Sequence, residues 1–199
     1  MEPKYRMAIE DNIFVAKRNI VDYIWKSAKL EGLTVTYPDT DEIYNGMSVA
    51  NVPVSEIIAV NNLKHAWHFV LDNLDNSLNY AYICQINRIV GGTSWTPDMP
   101  IEPQIKEQLA KVLSLESPTE RAIMITLYLM RKQMFLDGNK RTAMLAGNRI
   151  MIASGCGILS VPIEHQPVFR AMLLSYYETG DAGGLSRFLY EFCIDGMDF

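Results

Sequence analysis

Eleven residues carry the densest chemistry in the chain: Gln133-Met134-Phe135-Leu136-Asp137-Gly138-Asn139-Lys140-Arg141-Thr142-Ala143. They join two strongly apolar stretches that read as helices. The first amides of a helix have no intrahelical acceptor, and they lie at the positive end of the helix dipole. A helix beginning here is an anion site in waiting. Gly138 lets a ligand come close to the backbone. Lys140 and Arg141 add fixed positive charge, and arginine can grip a phosphate with two parallel bonds. Asp137 beside them suits Mg²⁺, which takes carboxylate and phosphate oxygens together. The chemistry indicated is polyphosphate binding. Asp-Gly-Asn is also an ordinary turn sequence, and Lys-Arg after it could simply be solvated. No G-x-x-x-x-G-K-[ST] loop is present.

The elements that must position this stretch are helical throughout. Ile9, Ile13, Ala16, Ile20 and Ile24 recur at spacings of three and four. That stripe predicts one helix over about 5–30, ended at Glu31-Gly32. Residues 39–45 read as a short helix with an Asp or Thr cap and Gly46 as its stop. A longer helix runs from Pro53 to about Asn73, with Ile57, Val60, Leu63, Ala66, Val70 and Leu74 inward. Another covers 77–90 and is broken by the Gly-Gly pair at 91–92. The proline-rich 93–103 cannot be helix interior, and reads as a short hairpin or a plain surface loop. Pro103 opens a helix to about Leu115. Ser117-Pro118-Thr119-Glu120 is a capping box with proline at the first helical position. The helix it opens is apolar nearly all round and belongs in the centre, as does a second one over 141–154. Two more helices, 166–178 and 184–194, flank a glycine-bearing turn. No repeat or linker interrupts the pattern, so the expectation is one all-α domain over 1–199.

Composition narrows the classes. The chain has 199 residues, 49% of them hydrophobic, and a formal charge of −5; its mean hydropathy is +0.01 and its pI about 5.2. That supports a real core and argues against nucleic acid as the main partner. No run of about 18 apolar residues predicts a membrane span. The charged N-terminal dozen residues lack the apolar stretch of a signal peptide. Cys84, Cys156 and Cys193 are scattered and odd in number, which fits a reducing cytoplasm. His65 and His68, three apart on a helix, read as surface or packed histidines ahead of metal ligands.

The 133–141 stretch resembles the signature of the Fic/Doc family, His-x-Phe-x-Asp/Glu-Gly-Asn-Gly/Lys-Arg, set in a loop between two central helices. Phe135, Asp137, Gly138, Asn139, Lys140 and Arg141 match at their places. The resemblance covers about residues 40–195. It implies a Fic fold, a helical bundle around two buried helices with a short β-hairpin flap. It also implies transfer of AMP from ATP to a Ser, Thr or Tyr hydroxyl of a protein target docked at the flap, 93–103. Lysine after asparagine is similar to the Doc branch, which transfers phosphate. By this resemblance Phe135 anchors the loop, Asp137 binds Mg²⁺, and Gly138, Asn139, Lys140 and Arg141 hold phosphates of ATP. Tyr176, Tyr177 and Glu178 lie near where the family's adenine pocket would be, and equally fit core packing. A homodimer is compatible with the fold.

Two positions depart from the family pattern. Gln133 stands where the family has its general base, and a glutamine amide cannot take a proton. Met144 stands where many AMP-transferring members have a second arginine. The first departure predicts weak or absent catalysis. The alternative reading is a non-catalytic regulatory relative that binds nucleotide or a protein. Upstream, Ser27-Ala28-Lys29-Leu30-Glu31-Gly32 resembles the family's inhibitory motif, [Ser/Thr]-x-x-x-Glu-[Gly/Asn]. That makes the N-terminal helix 5–31 a cis inhibitory element, in which Glu31 pairs with Arg141 or Lys140 in place of the missing arginine. A plain helix C-cap also accounts for Glu31-Gly32, and Glu-Gly at a helix end is common.

Overall fold

The structure, a computed structural model, describes residues 1–91 and 103–197. Ten helices form among them: α1 (Ile9–Arg18), α2 (Ile20–Leu30), α3 (Tyr37–Tyr44), α4 (Val54–Asp72), α5 (Tyr80–Gly91), α6 (Pro103–Leu113), α7 (Pro118–Lys132), α8 (Asn139–Ala153), α9 (Gln166–Thr179) and α10 (Gly183–Phe192). None is long and apolar enough to cross a membrane. The hairpin or loop expected over 93–103 lies almost wholly outside the described residues.

The two stretches expected to be central are central. α7 and α8 share the most extensive helix contact, and nearly all of α8 is buried. Helices α4 and α5 pack on one side of this pair, α6 and α10 against α7, and α1 against α8. The buried residues form one continuous apolar core from Met7 to Ile194. Gly147 explains how α7 and α8 approach so closely. A Cβ there would lie 2.1 Å from the Thr126 hydroxyl and 3.0 Å from the Ala122 carbonyl. That hydroxyl reaches the Ala122 carbonyl at 2.8 Å and, across the interface, the Ala143 carbonyl at 3.2 Å.

Several boundaries differ from the sequence expectation, each for a local reason. The helix expected over 5–30 is two helices, broken at Asn19, whose φ of −107° and ψ of 13° leave the helical region. Asparagine is a weak helix former, and this one turns its side chain toward the Tyr23 hydroxyl, 3.4 Å away. The stripe nonetheless carries across the break, since Ala16, Ile20 and Ile24 are buried while Ile9 is exposed. α3 starts earlier than expected because Thr36 forms a full capping box with Asp39. At α7, Ser117 accepts from the Glu120 amide at 3.2 Å, but the Glu120 carboxylate pairs with the amino group of Met1 at 2.8 Å. Only half of that capping box is made. α8 begins at Asn139, two residues before the expected start. A two-stranded antiparallel sheet also ties the segment after α8 to the segment after α10, pairing Ile158 with Asp195 and Leu159 with Ile194. Strands of two residues carry no periodicity to read.

Gly147→Ala adds a methyl group into the α7–α8 contact. The clash outweighs the ~1 kcal/mol that alanine gains in helix propensity, for a net loss of roughly 1–3 kcal/mol. Urea unfolding followed by circular dichroism measures this. The double variant with Thr126→Ala recovers part of the loss, because the nearest clashing atom is gone; a neutral Gly147→Ala contradicts the packing described.

Candidate functional site

α7 ends on Gln133, whose φ of 47° and ψ of 52° are left-handed. Only Asn51 shares a positive φ among the described residues other than glycine. This turn sends the chain back toward α8. The Gln133 amide donates from Nε2 to the Met130 carbonyl of its own helix. Beyond it, Phe135 packs partly buried against the core, while Leu136 is exposed. Gly138 then takes φ 74°, where a Cβ would sit 2.7 Å from Val90 Cγ1 and 3.3 Å from Asn87 Nδ2.

Asparagine side chains hold this loop. Asn139 accepts from the Phe135 amide at 3.0 Å and donates to the Phe135 carbonyl at 2.6 Å. From α5, the buried Asn87 donates to the Asp137 carbonyl at 2.9 Å and to the Thr142 hydroxyl at 3.0 Å. The Asn139 side chain therefore fixes the loop, leaving its backbone N–H for a ligand. Asn87 went unnoticed in the sequence. Its signal was a polar residue on the apolar face defined by Ile83, Ile86 and Val90.

The first backbone bond of α8 runs from the Thr142 amide to the Gly138 carbonyl at 2.8 Å. The amides of Asn139, Lys140 and Arg141 thus have no acceptor within the helix. The Gly138 amide donates to Asp137 Oδ1 at 2.6 Å, and Asp137 Oδ2 accepts from Arg141 at 3.0 Å. Asp137 remains largely exposed, whereas the Arg141 side chain is 9% exposed. Its buried Nε makes no hydrogen bond.

Glu31 reaches the same place from α2. It sits at the C-cap, where Gly32 turns the chain at φ 86°. Its Oε2 lies 2.7 Å from Lys140 Nζ, and its Oε1 lies 3.8 Å from Arg141 Nε. Ser27, one turn earlier, lines a cavity of about 20 Å³ with Met144, Tyr23, Trp67 and Ser160. That volume admits about one water. Met144 is buried there and directs no charge toward Glu31.

Tyr177 of α9 completes the surroundings. Its hydroxyl is buried and makes no hydrogen bond of ordinary geometry. Burial first, and then the charge of Glu31, push its pKa up, while the nearby Gln133 amide opposes the rise. Tyr176 is buried under the Arg131 guanidinium, 5.5 Å from the ring centre. The histidines lie elsewhere. His68 stacks on Tyr44, His65 is exposed on α4, and His165 packs on Phe188 and Phe192. No group of three or more metal-ligating side chains occurs among the described residues.

A phosphate-bearing ligand fits this donor set. Arg141 Nε is a buried polar atom without a hydrogen-bond partner, an arrangement that costs free energy unless an acceptor arrives. Lys140 and Arg141 meet at Glu31, and three amides at the start of α8 have no acceptor within the helix. Asp137 is the one carboxylate in the loop that could share a cation with such a ligand.

Residues 77–151, which include the loop and most of both central helices, match the family model described as Fic/DOC family. Among solved structures, a stretch of Fic-1 from C. elegans, residues 134–508, superposes with a TM-score of 0.73 at 24% identity, over 89% of this chain and 61% of that one. A variant of the same stretch gives 0.73 at 24%, over 88% and 62%. A Fic domain containing signaling protein from Bacteroides thetaiotaomicron gives 0.68 at 16%, over 92% and 85%. The chain thus spans about three-fifths of the C. elegans chains it matches. No curated protein matches it in sequence. The chain thus carries a Fic/DOC family match over residues 77–151, and its fold is the Fic fold.

Gly138→Ala tests how tightly α5 holds the loop. It sets a side chain at positive φ and drives its Cβ into the rigid Val90, for a combined cost of roughly 2–4 kcal/mol. Chemical denaturation reads this directly. A loss under 0.5 kcal/mol, on the order of an ordinary surface substitution, contradicts the geometry.

Proposed function

We propose that the α7–α8 loop binds the phosphates of ATP with Mg²⁺, and that the protein belongs to the class transferring AMP or phosphate to a protein hydroxyl. One observation carries this reading. A carboxylate, Glu31, is seated against Lys140 and Arg141 at the open end of α8, so the place already draws an anion. In the proposed role, the amides of Gly138 to Arg141 and the two cations bind phosphate oxygens. Asp137 releases Arg141 and takes Mg²⁺. Glu31, with Ser27 behind it on α2, competes with the incoming phosphate. The bound nucleotide would supply the electrophilic phosphorus, and a Ser, Thr or Tyr hydroxyl of a target protein the nucleophile. The segment 93–103 is where that target would dock. The three free cysteines fit a reducing, cytoplasmic setting.

Gln133 sets the expected rate. It stands where a base would take the hydroxyl proton, and an amide has no basic site near neutral pH. Positioning and charge stabilisation still act, since phosphoryl-type transition states lean on both. The rate expected is low. A second reading, a catalytically silent nucleotide binder, gains support from the Gln133 amide being turned onto the Met130 carbonyl of its own helix.

ATP labelled on the α- or γ-phosphate, mixed with host lysate, separates these readings. The native chain transfers little label. Gln133→His raises transfer by roughly 10²–10⁴-fold, the usual contribution of a general base, most visibly beside Glu31→Gly. Label position tells AMP from phosphate transfer. No label from any of these variants contradicts the enzyme reading.

Binding has its own test. Glu31→Gly gains thermal stability with millimolar Mg-ATP, and adding Lys140→Ala and Arg141→Ala removes that gain. Stabilisation that persists without the two cations places the nucleotide elsewhere.

A further inference from the structure

The C-terminal turn of α2 is held from outside by the first turn of α9. Gln166, the first residue of α9, is 3% exposed. Its Nε2 donates to the Lys26 carbonyl at 2.9 Å and, more weakly, to Val161 at 3.4 Å. One turn on, Arg170 sends its guanidinium to the Lys29 carbonyl at 2.6 Å and the Leu30 carbonyl at 3.4 Å. Gln166 Oε1 steadies the same guanidinium nitrogen at 3.4 Å. These carbonyls immediately precede Glu31. Helix C-terminal carbonyls lack internal donors and carry partial negative charge, so a cation there stabilises the helix end.

We infer that Arg170, supported by Gln166, is a positioning residue that acts through Glu31: it fixes the end of α2 so that the Glu31 carboxylate stays on Lys140. The inference rests on reading Glu31 as occupant of the phosphate place. The geometry favours this division of labour. Glu31 is the C-cap, so small changes in the last turn of α2 move its carboxylate directly. Gly32 and Leu33 close the turn from within, donating to the Lys29 and Ala28 carbonyls at 3.0 and 3.1 Å. Beyond them, Glu56 of α4 holds the amides of Thr34 and Val35 at 2.9 and 3.0 Å. The chain after Glu31 is thus tied to α4, and the chain before it to α9. Arg170 adds a charged second donor to the Lys29 carbonyl and reaches the Leu30 carbonyl, the last one before Glu31. Loosening it lets the last turn of α2 fray and Glu31 leave the cations, which opens the site.

Calorimetric titration of the full chain with Mg-ATP tests this in native protein, Glu31→Gln, Arg170→Ala, Arg170→Lys, and Glu31→Gln with Arg170→Ala. Arg170→Ala is expected to bind Mg-ATP about three- to tenfold more tightly than native, the range one exposed hydrogen bond spans. Arg170→Lys, which still donates to the Lys29 carbonyl, stays near native. On the Glu31→Gln background, Arg170→Ala adds no further affinity. A purely structural role would lower melting temperature in both backgrounds and leave affinity alone. Hydrogen exchange at the Glu31, Gly32 and Leu33 amides reads the same tie without nucleotide, and is expected to quicken in Arg170→Ala. If Glu31→Gln tightens binding while Arg170→Ala matches native, the inference is overturned and the phosphate site stands. If no variant binds Mg-ATP, the phosphate site falls and this inference with it.

Discussion

A buried helix that starts inside a protein leaves its first amides without acceptors, and α8 meets that constraint in an unusual way. Its N-cap is Gly138, which has no side chain to offer. Asn139 turns its amide onto the Phe135 peptide, and Asp137 satisfies only Gly138. The remaining amides stay available in a setting where Arg141 is almost wholly buried. A side-chain cap such as serine or threonine would have taken up one of these amides. Its absence, together with two adjacent cations, concentrates positive potential at one point of an acidic protein.

The rest of the fold can be read as support for that point. Gly147 and Thr126 bring α7 and α8 close enough to fix the loop between them. Asn87 and Val90 press on the loop from α5. α2 then delivers a carboxylate to the cations, held in turn by α4 and α9. Under the proposed reading, Glu31 and a nucleotide phosphate are rivals for one electrostatic well. The missing second arginine shifts that rivalry onto Lys140, while Met144 contributes only packing and one wall of a water-sized cavity.

Much of this was legible in the sequence, because it rests on local signals. The Ser117-Pro118 start, the Gly46 stop and the two all-apolar central helices each depend on residues within a turn of one another. The family signature over 135–141 likewise lies within seven consecutive residues. What was not legible depends on distant or very short features. The break at Asn19 competes with a stripe that runs straight through it. The sheet between 158–159 and 194–195 is too brief to show alternation. The hold of Asn87 on Asp137 spans 50 residues, and that of Arg170 on Lys29 spans 141. The Asn139 side chain bonds the Phe135 peptide, a direction that residue type alone does not give.

The most direct measurement follows the backbone amide signals of Asn139, Lys140 and Arg141 by proton–nitrogen NMR while Mg-ATP is added to the Glu31→Gln protein. The account predicts that these three signals move together and saturably, with Gly138 following as Asp137 lets go of its amide. Unmoved signals at the start of α8, with nucleotide-dependent shifts elsewhere in the chain, would contradict it.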